Sequence, residues 1–240
     1  MRGRESEIVQ SSSSGGGHSP ATRRQRLTQS QEDYLKALYD LGGATGSVNT
    51  LPLARRLQVS AASATEMLGR LDALGVVRHN RYRGAILTAS GAAAALEMVR
   101  HHRLLETYLV EKLGYRWDEV HEEAERLEHV MSDRMEERML AALGSPTVDC
   151  HGGPIPDLAG VVAASGYFSL THARAGERLT VRRVSDRDAG VLRVAHDLGL
   201  RLGAKVEVLA ESAYAGPISI RVRGRRRQVP IGIARAVFVG

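Results

Sequence analysis

Between Tyr34 and Leu143 apolar residues return every three or four positions, broken by one alternating stretch near residues 76–88. From about Glu177 the repeat shortens to two. This change of period constrains the fold more than any other feature, because a helix returns to one face every 3.6 residues and a strand every two. Helical units must come first and a small β unit last, which predicts a mixed α/β multidomain chain. No apolar run approaches the ~20 residues that a membrane span needs, and the N-terminus lacks an apolar signal-peptide core, so a cytoplasmic protein without a membrane partner is expected. Cys150 is the single cysteine, which excludes an internal disulfide framework. Residues 1–27 are rich in Ser, Gly and Arg with little to bury, and are expected to be a disordered tail that could touch DNA through Arg23, Arg24 and Arg26.

Residues 28–96 read as a winged helix-turn-helix. TQSQEDYLKALYDLGG predicts a first helix with a cap at Thr28 or Ser30 and a stop at a Gly pair. NTLPLARRLQVSAASATEMLGRLDALGVV predicts two short helices around a tight QVS turn, the second capped by Ser60. VVRHNRYRGAILTASG then predicts two short strands around an Arg-rich tip, a wing. The second helix of the pair begins with small polar residues that allow close approach to base edges. Ser60, Ala62, Ser63, Thr65 and Glu66 are the candidate base-reading face, and Arg81 and Arg83 the phosphate contacts of the wing. The formal net charge of +6 agrees with a polyanionic partner, here double-stranded DNA.

Residues 97–165 predict a helical hairpin: a long helix over 90–113 capped by Ser90, the short GYR link, and a second helix over 117–143. In HEEAERLEHVMSD, one arc of the second helix carries His121, Glu125, Glu128, His129 and Ser132, beside an apolar stripe of Ala124, Leu127 and Met131. Carboxylates so placed repel one another, so something positive should sit among them. On the same argument, Glu128→Gln is expected to spare or stabilise the metal-free chain. The first helix presents His102 and Glu106 on one face. Histidines and carboxylates converging from both helices describe a divalent-metal site suited to Mn, Fe or Zn. The competing reading is a surface salt-bridge net with Arg103 and Arg126. Residues 166–240 alternate in five short segments with a helix near 189–198, which predicts a small barrel.

HEEAERLEHVMSD, RHHRLLETYL and QEDYLKALYDL together resemble the diphtheria-toxin-repressor family of metal-dependent transcriptional repressors, from about residue 28 to the C-terminus. The resemblance implies a winged helix, a metal-binding dimerisation hairpin and an SH3-like C-terminal domain. It implies a primary site of Asp33, Glu125, Glu128 and His129, and an ancillary site of His102, Glu106 and His121 completed by Asp188. Iron-type members carry Met at the position of Asp33 and Cys at that of Glu125. Two carboxylates there are harder ligands, so the resemblance is to the manganese branch and Mn²⁺ is the expected co-repressor. Lys36 stands where some manganese members have Glu. A homodimer on a palindromic operator is expected, with metal across the Asp33 boundary fixing the DNA-binding domain. An Fe²⁺-dependent repressor is the nearest alternative. A metalloenzyme is the more distant one, disfavoured by the absence of HExxH, a phosphate loop or a nucleophile elbow.

Overall fold

The computed structural model describes residues 27–163, 166–186, 188–212 and 216–240; the tail reading, with Arg23, Arg24 and Arg26, falls outside the described residues. Helix α1 spans Gln29–Asp40 and opens with a capping box in which the Thr28 hydroxyl accepts from Gln31 N while the Gln31 side chain accepts from Thr28 N. Helices α2 (Thr50–Arg56) and α3 (Ala61–Ala73) follow, α3 held at its start by Ser60 Oγ accepting from Ser63 N. Leu35, Leu38, Leu53, Leu68 and Leu71 are fully buried between these helices. Each such leucine stabilises the domain by about 1.5–3 kcal/mol.

The wing is an antiparallel pair, β1 (Val77–Asn80) and β2 (Gly84–Leu87), and Ala85 also bridges Val48. Gly84 sits at φ +83°, and a Cβ there would stand 2.3 Å from Val48 O, so only glycine lets β2 lie this close.

Helix α4 (Ala89–Leu113) is capped by Thr88, not by the expected Ser90, whose hydroxyl instead meets Thr88 and Gly75 O. It runs without a break across residue 96, so one rigid rod belongs both to the winged helix, through Ala95, and to the central hairpin, through Leu104 and Leu105. The second arm of the hairpin differs from the single helix expected. It consists of α5 (Val120–Leu127), a 3-10 turn at Glu128–Val130, an extended Met131, and α6 (Asp133–Leu143). Ser132 is an N-cap, its hydroxyl accepting from Met135 N, and therefore not a member of the metal-facing arc. A Ser-Asp start competes with helix continuation, and Glu128, the first residue of the turn, is buried.

The C-terminal unit comprises β3 (Phe168–Ser169), β4 (Arg178–Val184), α7 (Ala189–Asp197), β5 (Lys205–Ala210), β6 (Ile218–Val222), β7 (Arg225–Val229), α8 (Ile231–Ala236) and β8 (Val237–Val239). Strand order is β3-β8-β4-β5-β6-β7 with antiparallel neighbours. The five expected segments are present, except that the first part of ARAVFV closes α8, and the two-residue β3 adds an edge. Val184 N donates to His151 O at 2.9 Å, which ties the 144–157 connection to the end of β4 beside the hairpin. Among the described residues no helix is long and apolar enough to cross a membrane.

Candidate metal centre and DNA-binding face

Helix α1 delivers Asp33 and Lys36 to the start of the broken arm of the hairpin, because α1 packs along α4 and the turn after α5 folds back toward it. His129 Nε2 faces Asp33 Oδ1 at 3.0 Å and Glu128 Oε1 at 3.7 Å. Its Nδ1 lies 2.7 Å from Glu32 Oε2; in the tautomer that donates its N–H there, Nε2 keeps its lone pair. A histidine oriented by a carboxylate behind it is the usual support of a metal ligand. Nε2 is buried and makes no hydrogen bond, an acceptor turned toward a carboxylate pair. Asp33, Glu128 and His129 place their ligand atoms within 4.8 Å of one another, as do His102, Glu125 and Glu128. This donor set fits a hard divalent cation.

The positive group expected among the carboxylates is Lys36. Its Nζ donates to Glu128 Oε1 at 2.7 Å and Oε2 at 2.8 Å and to Glu125 Oε1 at 3.0 Å, and stands 3.1 Å from His102 Nδ1. Burial favours a neutral amine, but the charges and hydrogen bonds of Glu128 and Glu125 outweigh it and hold the Lys36 pKa above its ordinary value. For Glu125, burial pulls upward and Lys36 prevails, leaving the carboxyl below its usual range. Asp33, without such a contact, is raised by burial.

The ancillary cluster lies one turn deeper. His102 Nε2 is 3.0 Å from both Glu106 Oε1 and His121 Nδ1, and His121 Nδ1 is 3.1 Å from Glu106 Oε1. Asp186 completes a four-residue group with these three. Asp188, the residue expected there, is elsewhere: it caps α7, with Oδ1 accepting from Gly190 N at 2.7 Å and Val191 N at 3.4 Å. An Asp directly before a helix is a capping signal, which already pointed away from ligation. His102 links the clusters, since its Nδ1 meets Glu128 Oε2 while its Nε2 meets Glu106. Burial lowers its pKa, but Glu106 more than reverses this and the value rises to about 10. Glu106 is correspondingly held well below the ordinary range, its buried location being overcome by His102, His121 and His151.

Cys150 and His151 are candidate donors that sequence reasoning missed. His151 Nε2 donates to Trp117 O at 2.6 Å, and its Nδ1 lies 3.4 Å from Cys150 Sγ and 3.4 Å from Glu106 Oε2, a buried oxygen without a hydrogen bond. Glu106, Cys150 and His151 form a further group of donors within 4.8 Å. Neighbouring Asp149 is pushed up to about 6 by burial and by Glu106. The DCH triplet was the available signal, masked because GSPTVDCHGGPIPDLAG also reads as a chain terminator. Gly152 at φ +85° lets this loop reach β4: a Cβ would stand 2.0 Å from Arg182 O.

Ser60, Ala62, Ser63 and Glu66 are exposed along the first turns of α3, and Arg81 and Arg83 at the wing tip. Thr65 is half-buried and its hydroxyl donates back to Ala61 O at 2.8 Å, while Glu66 pairs with Arg70. Tyr82, between the two arginines and 91% exposed, is a wing residue the sequence reading passed over. Asn80 Oδ1 accepts from Tyr82 N and Arg83 N and shapes this tip.

The chain matches the family described as iron dependent repressor, N-terminal DNA binding domain, over residues 26–85, and its metal binding and dimerisation domain over residues 88–157. Residues 168–240 match the FeoA domain. The iron-dependent repressor IdeR of Mycobacterium leprae is 33% identical over 226 residues, covering 89% of this chain and 97% of that protein. A manganese-dependent transcriptional repressor solved in complex with manganese is 43% identical and superposes with a TM-score of 0.81, over 87% of this chain and 98% of that one. ScaR with bound Zn²⁺ is 33% identical with a TM-score of 0.76, over 88% of this chain and 98% of that one.

Proposed function

This chain belongs to the diphtheria-toxin-repressor family of metal-dependent, DNA-binding transcriptional repressors, and from that premise we propose that Mn²⁺ is its co-repressor and that it controls genes of metal homeostasis. The observation that carries this reading is the chemistry of two donor groups that share Glu128: Asp33, Glu128 and His129 in one and His102, Glu125 and Glu128 in the other offer only oxygen or nitrogen ligands, and the chain's one thiol, Cys150, lies in the group around His151 instead. Hard donors favour Mn²⁺ over softer metals. When bound, the cation supplies the positive charge that lets carboxylates of two domains meet. Asp33 and the Glu125–His129 segment would hold it, and because Asp33 rides on α1, this contact fixes how the winged helix sits on the hairpin. His102, Glu106, His121 and Asp186 would hold a second cation and stabilise the hairpin against the C-terminal unit.

In this reading two copies pair through the hairpin and present their α3 helices to a palindromic site. Ser60, Ala62, Ser63, Thr65 and Glu66 read base edges, and Arg81 and Arg83 hold phosphates from the wing. The protein works in the cytoplasm, where its DNA is. The iron reading has one specific observation in its favour, the 33% identity to an iron-dependent repressor. One experiment decides between the two: select the operator from a random DNA pool, then titrate Mn²⁺, Fe²⁺ and Zn²⁺ into the protein–operator mixture at one salt concentration. Tightest binding at the lowest free Mn²⁺ is expected. A response to Fe²⁺ at equal or lower concentration overturns the manganese assignment, and metal-independent binding overturns the co-repressor role.

A further inference from the structure

The ammonium of Lys36 stands within hydrogen-bond reach of both Glu128 oxygens, Glu125 Oε1 and His102 Nδ1, among the same side chains that a divalent cation would take. We propose that Lys36 is a tethered competitor cation: it closes the primary site of the metal-free chain, latches α1 to the central hairpin, and sets the metal concentration at which the site fills.

Three observations carry this. First, the contact is built into the interior. The Lys36 side chain is 11% exposed and that of Glu128 is fully buried. A buried carboxylate needs a partner, and here the partner is a side chain rather than solvent. Second, the lysine crosses a domain boundary, since it belongs to α1 while Glu125 and Glu128 belong to α5 and the turn that follows. The same boundary is also crossed by His129 Nδ1 to Glu32 at 2.7 Å, so the metal-free chain already has its winged helix fastened. Third, there is room for the side chain to leave. An open cavity of about 720 Å³, lined in part by Asp33, Lys36, His121, Glu125 and Arg126, adjoins the cluster. Lys36 itself lines this space, and its four-carbon stem is flexible enough to swing toward it.

Two consequences follow from charge. Two cations are not accommodated between Glu125 and Glu128, so metal entry requires Lys36 to give up at least Glu128, and that exchange opposes binding. The apo and loaded states also differ less in domain placement than in a chain whose empty site holds only repelling carboxylates. Lys36 therefore trades metal affinity for order in the metal-free protein.

The proposal rests on the primary site being a metal site, and the test separates the two. Mn²⁺ binding is measured by calorimetry on the full chain, and metal-free thermal unfolding in parallel, for the parent, Lys36→Met, Lys36→Gln and Lys36→Arg. Lys36→Met and Lys36→Gln are expected to bind Mn²⁺ at the primary site roughly tenfold more tightly or better, a change of about 1.4 kcal/mol per factor of ten, and to unfold at lower temperature without metal. Lys36→Gln keeps a donor for Glu128 and serves where Lys36→Met folds poorly. Lys36→Arg retains the cation and should stay near the parent in both respects. Equal or weaker Mn²⁺ binding in both neutral variants overturns the competitor role while leaving the metal site intact. An unchanged unfolding midpoint in both overturns the latch. Absence of Mn²⁺ binding in the parent and all variants overturns the metal site and the proposal together.

Discussion

The primary and ancillary clusters use nearly the same side chains and balance their charge differently. Around Glu125 and Glu128 the balance comes from a lysine brought in by another domain, with His102 also against Glu128, and Glu125 and Asp33 remain partly open to solvent. Around Glu106 it comes from histidines, and Glu106, His102 and His151 are almost wholly buried. A lysine swings on a long stem, whereas the ring of a buried histidine is held in place, and its charge depends on the carboxylates around it. The primary cluster is thus suited to exchange its cation, and the ancillary cluster to hold one architecture at the meeting of hairpin and C-terminal unit.

The largest effect that could break this comparison comes from Glu128→Gln. The sequence alone suggested that removing one of several repelling carboxylates would spare or stabilise the metal-free chain. The structure reverses the sign, because Lys36 already compensates the repulsion and would be left in the interior with Glu125 alone. Metal-free stability should fall on the order of 3 kcal/mol, and the Mn²⁺-induced rise in unfolding temperature should disappear. Denaturant and thermal unfolding with and without Mn²⁺ check both, and an undamaged metal-free variant would mean the two clusters do not differ in this way.

A pH series sharpens the same contrast. His102 has a folded pKa of about 10 against 6.5 for the free side chain. Its contribution to metal-free stability is therefore complete below about pH 6.5 and is lost as pH rises through about 10. Glu106, held well below its ordinary value of 4.5, contributes above that pH and loses its share under more acid conditions. Metal-free unfolding temperature should decline from pH 7 to 10, while the Mn²⁺-saturated protein should not, because metal replaces protons on the ligands as pH rises. Parallel decline in both forms would remove the histidine explanation.

Smaller effects divide ligands from their neighbours. Asp188→Ala should cost about 1 kcal/mol through the lost α7 cap and leave Mn²⁺ stoichiometry unchanged, whereas Asp186→Asn should weaken the ancillary equivalent with little loss of stability. Calorimetric titration of both variants reads this directly, and the opposite pattern would return Asp188 to the site. Smallest of all is Glu123→Gln. Glu123 belongs to none of the donor groups and pairs with exposed Arg126 at 3.4 Å, and its removal should change stability by less than about 0.5 kcal/mol and metal response not at all.

Much of the architecture was legible in local pattern. Helical period, the Thr28 and Ser60 caps, the Gly84 wing and the alternating C-terminal segments each follow from interactions within a few residues of one another, so the chain itself specifies them. The spacing of His102 and Glu106, and of His121 and Glu125, placed each pair on one helix face for the same reason. The requirement for a positive group among those carboxylates was also legible, as a matter of charge. Which group supplies it was not, since Lys36 lies 89 residues from Glu125 and meets it only after α1 packs on the hairpin. The same holds for Asp186 over Asp188, for the grouping of Cys150 and His151 with Glu106, and for the break between α5 and α6. Local sequence determined which residues could carry charge or bind metal and which face of an element they share. Tertiary packing alone decided which of them meet, because distance across the fold and the exclusion of water between elements depend on every element at once.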